Sequence, residues 1–478
     1  MAAPLAVACL AVFFAANRIQ LTAGLEHFDA KNGDCLFWTE GAVQFRYARM
    51  VAEGDAIPAR DGAIAWPGGI EPARQLCLLM ERSIGESYRA FGRLFGRIPF
   101  HVWAAYAPHV ASALAVPAAY IAGLAVWGSA PAALLAATLY TLSLATTARS
   151  IGSFGHEDFA LPFLFLAAAF LLRQMSGEKS ERRGGFASPS GAAAAVALGF
   201  GLGAWHFSRF VHLLFVGALA IRIVWTVGDS QRRAVRALAW ITAGAAIAGL
   251  AFAVLRASAF LASPQMLLSA ALLASFAIEA RRGATPSSAT DTRARAATPL
   301  VARRAFVVAA IFAPLVFLSS RFSAESAGYG HVYALFADKL RFLGRKPADP
   351  SLLSPEARSL WIEDFASPSL YLAVVMFAAP ALLALAAILH RRASGGADHA
   401  AAPDRAAGTL DAYAVAALLT VVSGGAFLLV KRLFVVHAFF LCVLAGGAAL
   451  WALDARARGR ARTGAAPGPH ASASGGAR

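Results

Sequence analysis

The feature that most constrains this chain is a series of apolar runs close to bilayer length, separated by polar loops. A helix needs about 20 apolar residues to cross the hydrocarbon core, and there every backbone N–H and C=O must be satisfied internally. Runs at about 2–16, 101–127, 129–148, 159–173, 189–206, 209–227, 237–256, 258–278, 305–320, 369–389, 409–430 and 433–453 therefore predict an all-α, polytopic transmembrane helical bundle of about 12 spans. The first run is short, about 15 residues. With 58% hydrophobic and 15% charged residues, the composition agrees with a membrane protein.

A net charge of +16 would suggest nucleic acid in a soluble chain, but here the charge is distributed by loop. Basic excess collects at 173–183, 222–236, 281–304, 391–405 and 456–478, while the long loops before Phe100 and after Arg321 are nearly balanced. The positive-inside rule assigns the basic segments and both termini to the cytoplasm. The expected organisation is a transmembrane domain over 1–453, with external segments at 17–100 and 321–367 and a disordered cytoplasmic tail at 454–478. The Ser/Thr/Pro-rich stretch 281–304 reads as a disordered linker. Cys9, Cys35, Cys77 and Cys442 show no metal-ligand spacing, and Cys35 and Cys77 share one loop, as free thiols or as a disulfide. No internal repeat relates the halves, which argues against an inverted-repeat transporter.

Three polar features fall on the predicted external side. Glu40 follows the first run and opens a helix whose apolar residues Val43, Tyr47, Met50 and Val51 share one face, with Arg46, Arg49 and Glu53 on another. That pattern suits a helix lying in the membrane interface. His156, Glu157 and Asp158 precede the fourth run, and Lys431-Arg432 separates the last two. Arg209 and His206 lie in the link Trp205-His206-Phe207-Ser208-Arg209, and His331 lies in the second external segment. Carboxylates beside cations at a membrane face suit transfer of a sugar from a lipid phosphate. An acid takes the acceptor's proton, and cations stabilise the departing phosphate. Blander roles stand beside these: Glu40 as a local loop acid, Glu157 and Asp158 as first-turn acids, Lys431-Arg432 as a snorkelling pair, and His206 and His212 as packing residues.

The motifs resemble those of GT-C membrane glycosyltransferases. Phe37-Trp38-Thr39-Glu40 matches the F-x-T-E motif of Dpy-19-type tryptophan C-mannosyltransferases. The run His156-Glu157-Asp158-Phe159-Ala160-Leu161-Pro162-Phe163-Leu164 resembles their R-E-S-F-x-x-P-F-L, and Trp205-His206-Phe207-Ser208-Arg209-Phe210 resembles their W-Q-F-x-x-F. A basic residue, a Leu-Phe pair and a nearby His recur as Lys431-Arg432-Leu433-Phe434 and His437. Oligosaccharyltransferase catalytic subunits are more distantly similar, since their W-W-D-Y-G motif is absent and Gly155 stands where their second motif has Asp.

This resemblance implies a GT-C-type fold and an inverting transfer of a mannose-like sugar from a polyprenyl-phosphate donor to an external acceptor; it suggests a protein Trp, while the sequence leaves a protein hydroxyl or a glycolipid open as well. It implies Glu40, Glu157 and Asp158 as catalytic residues and Lys431, Arg432 and Arg209 as phosphate ligands. Trp38, His156, His206, His331 and His437 are expected to line the site. No metal ligand is assigned, although a divalent ion such as Mg or Mn is compatible with the chemistry. The Ala/Arg bias fits a bacterial inner membrane, with the active site extracytoplasmic and no nucleic acid as partner. The rival expectations are a transporter or lipid flippase, whose acids would line a path through the bundle, and an inactive scaffold.

Overall fold

The computed structural model describes residues 2–33, 36–37, 40–65, 67–92, 94, 98–143, 151–152, 154–177, 188–281, 293–322, 330–361 and 403–464. These residues are helical throughout, apart from loops and one isolated antiparallel bridge between Asp61 and Ile70. In chain order, α1 is Ala2–Ala23, α2 Glu40–Glu53, α3 Pro72–Gln75, α4 Leu79–Ser87, α5 Phe100–Ser112, α6 Ala115–Trp127, α7 Ala130–Leu142, α8 His156–Met175 and α9 Pro189–Ala204. They are followed by α10 Ser208–Trp225, α11 Asp229–Ala251, α12 Ala253–Ala257, α13 Pro264–Arg281, α14 Arg293–Phe322, α15 Gly330–Arg341, α16 Pro355–Leu360, α17 Pro403–Leu429 and α18 Phe434–Gly464. Among the described residues, 7 helical segments are long and apolar enough to cross a membrane, α5 and α6 together making one of them, and two apolar helices, α7 and α9, are shorter. The predicted span at 369–389 lies outside the described residues.

Several boundaries differ from the sequence reading, each for a physical reason. Helix α1 is 22 residues long because it continues through Asn17 and Arg18. Arg18 is only 3% exposed and is satisfied inside the bundle, donating to Ser112 Oγ at 3.0 Å, so it does not end the helix. The run 101–127 breaks between Ser112 and Ala115, where Pro117 has no N–H to give and its ring clashes with the carbonyl four residues earlier. The run expected from 258 starts at Pro264, since Ala259 adopts a left-handed φ of 49° in the preceding turn. Part of the expected linker is helical, with α14 beginning at Arg293 in an Ala-rich stretch of high helix propensity. Helix α18 likewise runs on to Gly464, past the expected start of the tail.

The centre of the bundle is an aromatic cluster from four helices. Tyr140 of α7 lies 5.9 Å from Phe14 of α1 and 5.9 Å from Phe165 of α8, and Phe165 stacks on Phe439 of α18 at 4.2 Å. Helix α18 approaches α6 closely because Gly447 has no side chain: a Cβ there would stand 1.9 Å from the Trp127 ring. Trp127 Nε1 then donates to the Val443 carbonyl at 2.9 Å. At the other end of α10 and α17 from the site described below, Asp411 accepts hydrogen bonds from Arg222, Ser230 and Arg233.

The described residues between α1 and α5 form a helical cap. Helices α2 and α4 cross at Gly85, where a Cβ would meet Val51 Cβ at 2.6 Å and the Ala48 carbonyl at 2.7 Å. The buried face of α2 is Gln44, Tyr47, Ala48 and Val51. It includes Tyr47 and Val51, as the periodicity predicts, but polar Gln44 is on it, while Val43 and Met50 are only partly buried.

Candidate active site

The site is built around the first turn of α8. His156, Glu157 and Asp158 are its opening residues, where the helix dipole favours negative charge. Each side chain is engaged by a different part of the chain. His156 Nε2 lies 2.7 Å from Glu81 Oε1 of α4, and its Nδ1 lies 3.1 Å from Gln44 Nε2 of α2. Glu157 accepts a hydrogen bond from Arg432 Nε, and Asp158 pairs with Arg18 of α1 at 3.6 Å. Arg432 belongs to the 3-10 turn Lys431–Leu433 that joins α17 to α18, and its guanidinium lies 5.8 Å from the Trp205 ring centre. Two adjacent acids are thus neutralised by arginines from opposite ends of the sequence.

Glu40 is different. It is the first residue of α2, it is exposed, and no described residue hydrogen-bonds or pairs with it. Its place beside α8 follows from Gly41, whose Cβ would fall 3.3 Å from the Phe154 carbonyl, and from Phe37, whose ring packs on Phe154 at 5.4 Å. Glu40 and Glu157 both act electrostatically on His156. Lys431 is exposed at the rim.

The remaining predicted residues are placed less centrally. Arg209 sits with its guanidinium 5.7 Å from the Phe260 ring. His206 shares a hydrogen bond at 3.0 Å with the Gln75 carbonyl, tying the Trp205 link to α3. His437 is fully buried, 3.3 Å from Ser423 Oγ and stacked against Phe427. His212 is fully buried against Phe260. His331 lies in α15, of which only the backbone is described at that point, and Trp38 lies outside the described residues. The structure therefore brings together Glu40, His156, Glu157, Asp158 and Arg432.

Sequence reasoning missed Arg18, Gln44 and Glu81. Arg18 carried a signal, because a charge at the end of an apolar run needs a partner. Gln44 and Glu81 carried none, since in an amphipathic helix both read as solvent-facing.

Outside the spans, burial and hydrogen bonding also set proton affinities. Burial would raise the Asp61 carboxyl, but hydrogen bonds from Arg46, the Ala63 N–H and Tyr47 Oη hold it below its ordinary value. Burial, helped by Asp61, pushes the Tyr47 hydroxyl up. Burial pushes the Cys77 thiol up to about 12, and it is free and unreactive in this setting. Burial lowers Lys339 to about 8. Among the described residues no group of three or more His, Cys, Asp or Glu is arranged to hold a metal. With Glu157 and Asp158 both paired to arginine, these residues do not fit a divalent ion.

Neither a protein-family model nor a curated protein sequence matches the chain. Solved structures of a similar shape do. The archaeal oligosaccharyltransferase AglB from Archaeoglobus fulgidus, in complex with an inhibitory peptide and a dolichol-phosphate, matches over 96% of this chain and 52% of its own, with a TM-score of 0.58 at 13% identity. The apo form of the Archaeoglobus fulgidus oligosaccharyltransferase matches over 95% and 52%, with a TM-score of 0.60 at 14% identity. The form tethered to an acceptor peptide containing the NVT sequon matches over 95% and 50%, with a TM-score of 0.52 at 13% identity. The chain spans about half the length of these solved chains. It has their membrane fold, the GT-C arrangement of an all-α polytopic bundle.

Proposed function

We propose that the chain is an inverting membrane glycosyltransferase that moves a mannose-like sugar from a polyprenyl-phosphate carrier to an extracytoplasmic acceptor, a protein Trp in the first instance. The observation that carries this reading is the pairing pattern of the acids. Glu157 and Asp158 are each held by an arginine, whereas Glu40 beside them is exposed and unpartnered among the described residues. An exposed, unpaired carboxylate can accept a proton; one already bound to a guanidinium is a poor base. Similar solved structures carry a dolichol-phosphate and an acceptor peptide, which supports a lipid-linked donor and a protein acceptor here. The site acids also gather at one end of α8, where a transporter would spread them along a path.

In this mechanism the acceptor atom bonds to the sugar's anomeric carbon from the face opposite the phosphate, so the configuration inverts. The bond from that carbon to the phosphate oxygen breaks, and its electron pair stays on the phosphate. The acceptor's proton goes to Glu40. Arg432 receives the growing phosphate charge, Glu157 keeps its guanidinium oriented beforehand, and Lys431 adds a second cation at the rim. No step requires a bound metal.

The test uses the purified protein, radiolabelled polyprenyl-phosphate-mannose and a Trp-containing acceptor peptide, with product analysis by mass spectrometry. Mannosylated peptide is expected, and Glu40→Gln should lower turnover by roughly 10²–10⁴-fold, the contribution of a general base, with donor binding retained. Normal turnover by Glu40→Gln would move the proton acceptor elsewhere. Hydrolysis or transfer to lipid without peptide product would change the acceptor class.

A further inference from the structure

Three elements meet on one imidazole next to Glu40. Glu81 comes from α4, Gln44 from α2 and His156 from α8, and all three are buried, Glu81 completely. The distances are 2.7 Å from Glu81 Oε1 to His156 Nε2 and 3.1 Å from Gln44 Nε2 to His156 Nδ1. The donor pattern follows from the partners. A carboxylate only accepts, so His156 Nε2–H donates to Glu81; Nδ1 then carries the lone pair and accepts from the Gln44 amide. Gln44 is four residues after Glu40, one helical turn along the same face of α2. His156 precedes Glu157, which holds Arg432.

We propose that Glu81 is a positioning residue for glycosyl transfer: through His156 and Gln44 it fixes the first turn of α2, and with it Glu40, against the Glu157–Arg432 pair. This rests on Glu40 being the proton acceptor. Gly41 and Phe37 pack on Phe154 and set how closely α2 approaches α8; the imidazole adds a directional link to that packing. A hydrogen-bonded imidazole between two helices has one geometry. Burying the Glu81 carboxylate is costly unless it is hydrogen-bonded, and only one of its oxygens is: Oε2 has no hydrogen-bond partner among the described residues. A carboxylate kept buried at that expense, at the joint of the cap and α8, is accounted for by what it holds in place.

The first measurement needs no substrate. Spin labels are placed at Ala42 and Lys431, both exposed, in a cysteine-free background. The parent should give one narrow distance distribution, Glu81→Leu a broadened or shifted one, and Glu81→Gln a narrow one again, because its amide oxygen still accepts from His156 Nε2–H. Where Glu81→Leu does not fold, Gln44→Leu breaks the other arm and should give the same broadening. A distribution as narrow as the parent's in Glu81→Leu, or in Gln44→Leu, overturns the proposal. The second measurement is turnover of radiolabelled polyprenyl-phosphate-mannose. Glu81→Leu should lower kcat by roughly 10–10²-fold, the scale of a small misplacement of a reacting group, with donor KM nearly unchanged. In the Glu40→Gln background it should cost little more, since both changes remove the same placed carboxylate. Fully additive losses would make Glu81 merely structural. Normal turnover by Glu40→Gln would sink the base assignment instead, leaving the label distances to judge the clamp separately.

Discussion

Arg18 and Arg432 bind neighbouring acids, yet their surroundings give them different consequences. Arg18 is 3% exposed and Asp158 11%, whereas Arg432 and Glu157 are 22% and 15% exposed. Removing one partner of a buried pair leaves an uncompensated charge and costs about 3–5 kcal/mol, while replacing both by apolar residues is often near neutral. Asp158→Leu should therefore unfold at a markedly lower temperature than the parent, and adding Arg18→Met should recover most of the loss, as thermal melts in detergent would show. The Arg432 pair is predicted to answer in rate. Arg432→Ala should lower turnover by roughly 10²-fold, the effect of losing one preorganised donor, and Lys at that position should restore only part, because it lacks the planar fork that binds phosphate oxygens. Parent-like turnover by Arg432→Ala would leave the pair as a structural link between α8 and the α17–α18 turn.

At the scale of elements, the cap depends on how α2 sits. Gly85 lets α4 touch α2, and a side chain there would first meet Val51 and the Ala48 carbonyl. Gly85→Val should destabilise by about 1–3 kcal/mol, the usual cost of overpacking, and lower turnover as α2 moves. An unchanged melting temperature would show that the two helices separate freely. Asp61 also holds α2, through Arg46 and Tyr47. Because its folded pKa is depressed, its stabilising contribution is present above the unfolded value and disappears as pH falls through the folded one. The melting temperature of Asp61→Asn should lie below the parent's at pH 7, and the gap should close only below about pH 4, the ordinary aspartate value. A gap that stays constant across that range would assign the effect to packing. The sequence made α2 itself legible through its periodicity, but not its docking. Gln44 and His156 are 112 residues apart and Glu81 and His156 are 75 apart, so no local pattern joins them.

For the whole molecule, the bundle was legible because membrane spans announce themselves by length and apolarity. Glu40, His156, Glu157 and Arg432 were legible because polar residues at the edges of such spans are few. What the runs did not show were the breaks set by local chemistry, at Pro117 and Ala259, and the continuation of α1 through Arg18. The distribution of charge predicts the orientation of the bundle. The end of α10 and α17 that holds Asp411 also carries Arg222 and Arg233 with their basic segment, and the opposite end carries Glu40, Glu157 and the Lys431–Leu433 turn. Basic loops stay in the cytoplasm, so the proposed active site is expected outside. Lys431 and Arg432 run against that rule, and a bound anionic phosphate gives a reason for the exception. Single cysteines in place of Arg345 and Arg232, both exposed, test the orientation in intact cells with a membrane-impermeant thiol reagent. The cysteine at 345 should be labelled from outside, and the one at 232 only after the membrane is opened. The reverse pattern would put Glu40 in the cytoplasm. The donor would then have to present its sugar on the cytoplasmic face, and the acceptor would no longer be an exported protein.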